Sequence, residues 1–490
     1  MRRGLSLWSL ILIAACASEQ QPPDGPSGQA ISIQEGERLN NRGVRLLNDG
    51  RPRSALAAFR QAVTILPDSA EIHLNMGLAY AQLEQYPEAI AAFEKADGLH
   101  LANPDDLLFS LGMALYAQRR YGDAVARFQQ ALELVPERPE YSFHLGESKR
   151  SNGDLDGAIK AYEEAIRLEQ GHVQAHYYRG LLLSYSNQPD SAAISFKRVL
   201  KLDPEHVSAH LGLGKVYTEQ GRYREAVEIL QQGANLEPRN TSIYFALSQV
   251  HLKAGQPRQR QSALKTFQQL DNAAKHFDQG KRYASQGAWA LAASSLSRAI
   301  QIDSSFLEAY ITLSKVHLQQ EMPGPAILLL QQAIALDPQD PEPHNLLGNI
   351  YLIQDDPVVA RQSYLQALSL EPESAQAFYG LGRASLLRKN LPAATRAFSQ
   401  ALASEPEYRD AYYYLGLAFA GQQRYGQAVA CFRETVVIDP AYAEAYYALG
   451  LALAQQKDHA SAREAVEKAL ELKPDYSEAQ AILEELERDL

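Results

Sequence analysis

The dipeptide Leu-Gly begins at residues 111, 145, 213, 347, 381, 415 and 449, and once out of register at 211; five of the six differences between the seven in-register positions are 34 or 68. The sixth, 134, falls two short of four periods, so the register slips between Gly214 and Leu347. A fixed period of this length means that one short motif, unable to bury its apolar face alone, is copied and stacked until neighbours complete each other's core. A chain of 490 residues can then form one elongated array instead of several globular domains.

With the recurrent glycine at position eight, thirteen 34-residue units begin at 36, 70, 105, 139, 173, 207, 241, 273, 307, 341, 375, 409 and 443. Ser248 and Ser314 replace glycine in two of them. Position twenty is alanine in every regular unit, from Ala55 to Ala462, with Ala263 serving the irregular seventh. Nine units close on a proline, as in ALELVP and VLKLDP, which biases the residue before it away from the helical conformation, so it ends one helix and can open the next. Apolar residues at three-and-four spacing flank a short polar turn within each unit, so each unit is a helical hairpin. Glycine inside a helix costs about 1 kcal/mol relative to alanine. Close crossing of the paired helices must offset that cost, and the alanine at position twenty is the expected partner, with Leu415, Phe419 and Phe432 packed around Gly416.

The pattern resembles the tetratricopeptide repeat family, in which position eight is small, twenty is alanine, twenty-four is aromatic and thirty-two is proline. Here position twenty-four reads Phe59, Phe93, Phe128, Tyr162, Phe196, Tyr364, Phe398 and Phe432. The resemblance implies an all-α, right-handed α-solenoid (superhelix) of about thirteen helical hairpins. Residues 477–490 add a C-terminal capping helix with an apolar stripe of Ala479, Ile482, Leu483, Leu486 and Leu490. One extra residue falls near Leu101–Pro104, and the insertion GQPRQRQ, Gly255 to Gln261, is expected to lengthen the turn of unit seven while the following helix and linker shorten. That irregularity divides the array into 36–272 and 273–476.

At the N-terminus, Arg2 and Arg3 precede the apolar run LSLWSLILIAA and then Cys16, the layout of a secretory signal. The segment IAAC resembles the lipobox of bacterial lipoproteins, which implies a signal peptide at 1–15 and a lipidated Cys16. Residues 16–35, rich in Pro, Gly, Gln and Ser over their first half, read as a tether. Ala17 carries no aspartate retention signal, so the resemblance implies a lipid anchor in the bacterial outer membrane.

Net charge is -11, from 58 acidic and 47 basic residues, which disfavours nucleic acid as a partner. Signal, tether, repeats and cap leave no room for a catalytic domain, and no phosphate loop, dinucleotide fingerprint, zinc-protease or nucleophile-elbow motif is present; no enzyme activity, cofactor or small-molecule ligand is expected. The motifs GHVQAH (His172, His176) and EHVSAH (His206, His210) have metal-ligand spacing, but position four alternates histidine with aromatics elsewhere, so packing is the better reading. Cys431 reads as a small buried thiol.

In this family the first helices line the concave groove. Position five carries Phe109, Phe143, Tyr177, Phe245, Phe277, Tyr379, Tyr413 and Tyr447, an aromatic row suited to a protein or peptide segment. Leu352, Ile353, Leu386, Leu387, Leu417 and Leu451 add apolar surface near the C-terminal end, while Lys149, Arg150, Arg179, Lys215, Lys281 and Arg282 suggest a site for an acidic segment in the middle. The expected function is that of a membrane-anchored scaffold for protein partners, in assembling an envelope machine such as a pilus, a polysaccharide exporter or an outer-membrane complex. The alternative is a module that binds glycan or cell-wall polymer.

Overall fold

The computed structural model describes the backbone of residues 28–488 and the side chains of 33–486. Cys16, the apolar run before it, most of the tether and Leu490 lie outside the described residues. All regular structure within them is helical, from α1 (Gly28–Asn48) to α26 (Ser477–Arg488). Helix α1 begins at Gly28, inside the expected tether, because no proline follows Pro26 before the repeat frame begins.

Each unit forms its hairpin in the same way. The first helix ends at position fourteen or just before it, and position fifteen adopts a left-handed conformation in all thirteen units. Five of these residues are glycines, such as Gly153 (φ 88°); the other eight are not, among them Glu84 (φ 58°) and Lys457 (φ 66°). The next amide then donates back to position eleven, as Gln85 N to Tyr80 O (2.9 Å) and Asp458 N to Leu453 O (3.1 Å) do. This bond across the left-handed residue satisfies a carbonyl at the helix end and turns the chain sharply. At the other end of the hairpin, residues preceding the closing prolines are extended, as at Val135 (φ -134°, ψ 83°) and Asp439 (φ -134°, ψ 91°).

The glycine at position eight faces the ring at position twenty-four more closely than the alanine at position twenty. A Cβ placed on Gly416 would stand 2.5 Å from Cε1 of Phe432, and one on Gly77 would stand 2.4 Å from Cε1 of Phe93. The same holds for Gly348 against Tyr364 and Gly382 against Phe398, at 2.5 Å each. Alanine at position twenty is fully buried in every regular unit and lets the helix backbones approach. The ring then fills the space that glycine leaves. Ser314 stands at position eight in the unit whose position twenty-four is Leu330, and its hydroxyl turns back to Ile311 O (2.7 Å), whereas Gly214 and Gly280 lie as close to Leu230 and Leu296 as the other glycines lie to their rings.

Two of the rings are tyrosines and bring a hydroxyl into the core, which needs a partner there. Tyr162 donates to Glu147, which also pairs with Arg150 at 2.9 Å, and Tyr364 donates to Asn349 Oδ1 at 2.7 Å. Glu147 and Asn349 both occupy position nine, which is Leu, Met or Val in most of the phenylalanine units.

The extra residue in unit two lengthens the linker between α4 (Tyr86–Gly98) and α5 (Asp105–Ala117), as expected. Unit seven differs from expectation. Its turn is the ordinary one: Gly255 is left-handed (φ 68°), and Gln256 N donates to His251 O at 2.8 Å. Pro257 then starts α14 (Pro257–Ser285), a single 29-residue helix that merges the second helix of unit seven with the first of unit eight. No proline or glycine stands between Arg258 and Gln279, so nothing terminates it.

Close contacts divide the chain into two bodies, one comprising 63–278 with 301–304 and the other comprising 34–62, 279–300 and 305–490, so the division falls inside α14. The C-terminal helix α26 buries Ala479 and Leu486 and packs Ile482 and Leu483 on the last hairpin, closing the apolar end of the stack.

Gly416→Leu should force Phe432 out of its position and lower the unfolding free energy of the second body by about 1–3 kcal/mol, read from the urea midpoint.

Candidate partner-binding face

First helices of successive units touch one another. In the first body these are α9 (Val173–Tyr185) with α11 (Val207–Glu219), and α11 with α13 (Thr241–Lys253). In the second they are α18 (Glu342–Ile353), α20 (Ala375–Leu387), α22 (Arg409–Gly421) and α24 (Ala443–Gln455) in sequence. Helices crowd on the inner side of a bend, so each body presents its first helices on its concave side.

The aromatic row lies between units more than on the open face. Tyr379 packs on Tyr408 (centroids 5.0 Å), Tyr413 on Tyr442 (5.1 Å) and Tyr447 on Tyr476 (4.9 Å), each 29 residues along and just before the next first helix. In the first body Phe143 and Tyr177 meet His172 (4.8 Å) and His206 (4.9 Å) at the same offset. Phe109 is buried and stacks on Tyr141 at 4.5 Å. Phe143, Tyr177, Phe277, Tyr379, Tyr413 and Tyr447 are half-buried, and Phe245 stands out at 46 % exposure. The row is therefore chiefly a seam that joins hairpins. Leu352 is buried, and Leu386 and Leu417 are half-buried.

What the concave side does expose is position thirteen. Ile353 is 76 % exposed and Leu387 51 %, one period apart on α18 and α20, and Tyr185 at 74 % holds the same place on α9. Of the two apolar pairs read from the sequence, Ile353 and Leu387 are the open members, and Leu352 and Leu386, at position twelve, are the packed ones. The signal that separates the two is helical phase: position twelve lies on the packed flank and thirteen one step round toward the open side.

The basic residues of the middle units are largely engaged. Lys149 lies 3.9 Å from Asp154, Arg150 pairs with Glu147, and Arg179 pairs with Glu163 at 2.9 Å. An acidic guest would have to displace these partners, while Lys215 remains exposed.

The histidines are structural. His172 and His206 cap α9 and α11, their Nδ1 atoms accepting from Ala175 N (3.3 Å) and Ala209 N (3.2 Å). His176 and His210 face the carbonyls of Gln170 (3.2 Å) and Pro204 (2.9 Å), six residues back, as His73 does with Pro67 (2.8 Å). Histidine recurs at position four because it reaches the end of the preceding unit. No group of three His, Cys, Asp or Glu among the described residues could hold a metal ion. Cys431 is buried, and burial, with Glu434 adding to it, pushes its thiol up to about 12, so the thiolate that reactivity needs is scarce at neutral pH.

Models of the tetratricopeptide repeat match residues 40–104, 109–173, 146–184, 345–397, 390–443 and 419–477, and a second model of the same repeat matches 183–249 and 283–350. The chain is similar to human Tetratricopeptide repeat protein 28, 29 % identical over 127 residues that make up 26 % of this chain and 5 % of that protein. It is also similar to the Drosophila melanogaster Protein O-mannosyl-transferase Tmtc3, 36 % identical over 73 residues, 15 % of this chain and 8 % of that one. The matched stretches thus span under a tenth of either relative. Among solved structures, YrrB, described as a TPR protein with an unusual peptide-binding site, aligns over 39 % of this chain and 98 % of its own at 22 % identity and TM-score 0.34. The Cut9-Hcn1 hetero-tetramer aligns over 94 % and 99 % at 13 % identity and TM-score 0.38.

His144 sits among Phe143 (5.1 Å), Phe109 (5.5 Å) and Phe128 (6.1 Å), and burial, with His172 adding to it, lowers its pKa to about 4. The unfolded chain binds that proton first, so this contribution to stability is complete above about pH 6.5 and is lost as pH falls toward 4. Urea midpoints of wild type and His144→Leu should therefore converge, or cross, between those pH values.

Proposed function

Because the chain belongs to the tetratricopeptide repeat family, we propose that it is a non-catalytic scaffold whose concave first-helix face holds a segment of another protein. The observation that carries this reading is the pair Ile353 and Leu387. Large aliphatic side chains stand mostly exposed at the same position of successive units, as apolar anchor points for a guest segment do. The aromatic seam gives that face rigidity, and rigid positioning of the contact side chains lowers the entropy lost on binding.

The N-terminal sequence supports the rest of the reading. A lipid on Cys16 would tie the scaffold to a bilayer, since several acyl chains hold where one anchors only marginally. No helix among the described residues is long and apolar enough to cross a membrane. The lipobox pattern, with Ala17 after the cysteine, supports the outer membrane of a bacterial envelope, and assembly of a multi-protein envelope machine is the work such a scaffold would do. Polymer binding is less favoured, because most of the aromatic row lies half-buried against the next unit, and sugar stacking needs an open ring face.

Capture of partner proteins from an envelope extract, with identification by mass spectrometry, tests the scaffold. Ile353→Asp with Leu387→Asp should abolish recovery of a reproducible partner while leaving the melting temperature within about 2 °C, as substitutions at exposed sites do. Tyr413→Ala should instead cost about 2 kcal/mol by opening the seam. Recovery of polymer alone, or a partner set indifferent to Ile353 and Leu387, would refute the assignment. Metabolic labelling with an alkyne fatty acid tests the anchor: wild type should be labelled and Cys16→Ser should not.

A further inference from the structure

Residues 34–62, which hold most of the first hairpin, α1 with α2 (Pro52–Ile65), are grouped by their contacts with the second body, although in sequence they precede the first. The hairpin's tip meets units eleven and twelve at residues more than three hundred positions away. Glu407 Oε1 accepts from the backbone amides of Arg53 (2.7 Å) and Ser54 (3.0 Å), and Oε2 accepts from Arg53 Nη1 at 3.3 Å. Glu434 pairs with Arg51 and accepts from Ser54 Oγ at 3.2 Å. The Arg51 guanidinium lies 5.9 Å from the centroid of Tyr412.

These contacts form a specific recognition of one helix start. Four second helices supply their own caps: Asp154, Asp356, Asn390 and Asp458 accept from amides two or three residues on. At the matching place α2 has Arg51, which has no acceptor to offer. Glu407 does that job from outside the hairpin, a carboxylate at the positive end of the helix, and only 8 % of its side chain is exposed. Charge also fixes which unit is met. The residues matching Glu407 and Glu434 are Gln339 and Gln366 two units earlier, Glu373 and Gln400 one unit earlier, and Ala441 and Lys468 one unit later. Among these neighbours one corner alone offers two carboxylates, and the next would repel an arginine.

We infer that the corner formed by Glu407, Glu434 and Tyr412 is a second protein-recognition site, specific for a helix start of the form Arg-Pro-Arg-Ser, and that the chain's own first hairpin is its occupant. The hairpin is held there as a ligand, by charge and by the uncapped amides of α2. A partner protein presenting the same kind of helix start would compete with it.

Amide hydrogen exchange on the full chain at low ionic strength tests this without any partner, so its result is independent of the scaffold assignment. The amides of Arg53 and Ser54 should exchange at least tenfold faster in Glu407→Ala, with Phe432 and its neighbours unchanged, and raising the salt concentration should speed them in wild type. Glu434→Lys should loosen the same amides, and adding Arg51→Glu should restore their protection by reversing the pair. Unchanged exchange at Arg53 and Ser54 in both single variants would overturn the inference. So would protection that disappears on dilution, which would place the hairpin on a second copy.

Discussion

The structure depends on one steric fact: a ring at position twenty-four occupies the volume where the first helix would carry a side chain at position eight. A Cβ at Gly416, Gly382 or Gly348 would fall 2.5 Å from that ring, closer than carbon atoms approach. Absence of a side chain on one helix and presence of a large flat one on the other amount to a single interaction, repeated along the chain. It sets how near the paired helices lie, and alanine at position twenty keeps the rest of the crossing clear. The left-handed residue at position fifteen then returns the chain at a fixed angle, so each hairpin meets the next in the same way.

Much of this was legible in the sequence because the pattern is written thirteen times. The positions of glycine, alanine and proline give the hairpins, the turns and the extra residue near Leu101. The partner of the glycine was not legible, since spacing identifies Ala428 and Phe432 equally well as neighbours of Gly416 and only geometry separates them. Unit seven was misread for a related reason. Gly255 and Pro257 look like an enlarged turn, whereas the departure lies further on, where nothing breaks the helix before Ser285.

The candidate site was less legible than the fold. Aromatic residues at regular spacing on the groove-facing helix read equally as contact surface and as mortar, and most proved to be mortar: Tyr413 has Tyr442 and Phe432 as neighbours before any guest arrives. The side chains left open, Ile353 and Leu387, carry no pattern across the array, because position thirteen is polar or small in most units. Recognition of α2 by Glu407 was out of reach of any local reading, since the two segments are joined by 354 positions of chain. What could be seen was only that Arg51 cannot cap its own helix.

The tyrosine cores differ from the aromatic seam in where their partners reside. Tyr364 and Asn349, like Tyr162 and Glu147, belong to one hairpin, whereas Tyr379 and Tyr414 join one hairpin to its successor. A recombination event that copies or deletes a whole 34-residue cassette therefore carries the hydroxyls of Tyr162 and Tyr364 together with their acceptors, and mismatches arise at the junctions. Growth of such an array by duplication is thus tolerant inside its modules and selective at their borders, so the length of the protein is easier to change than the order of its parts.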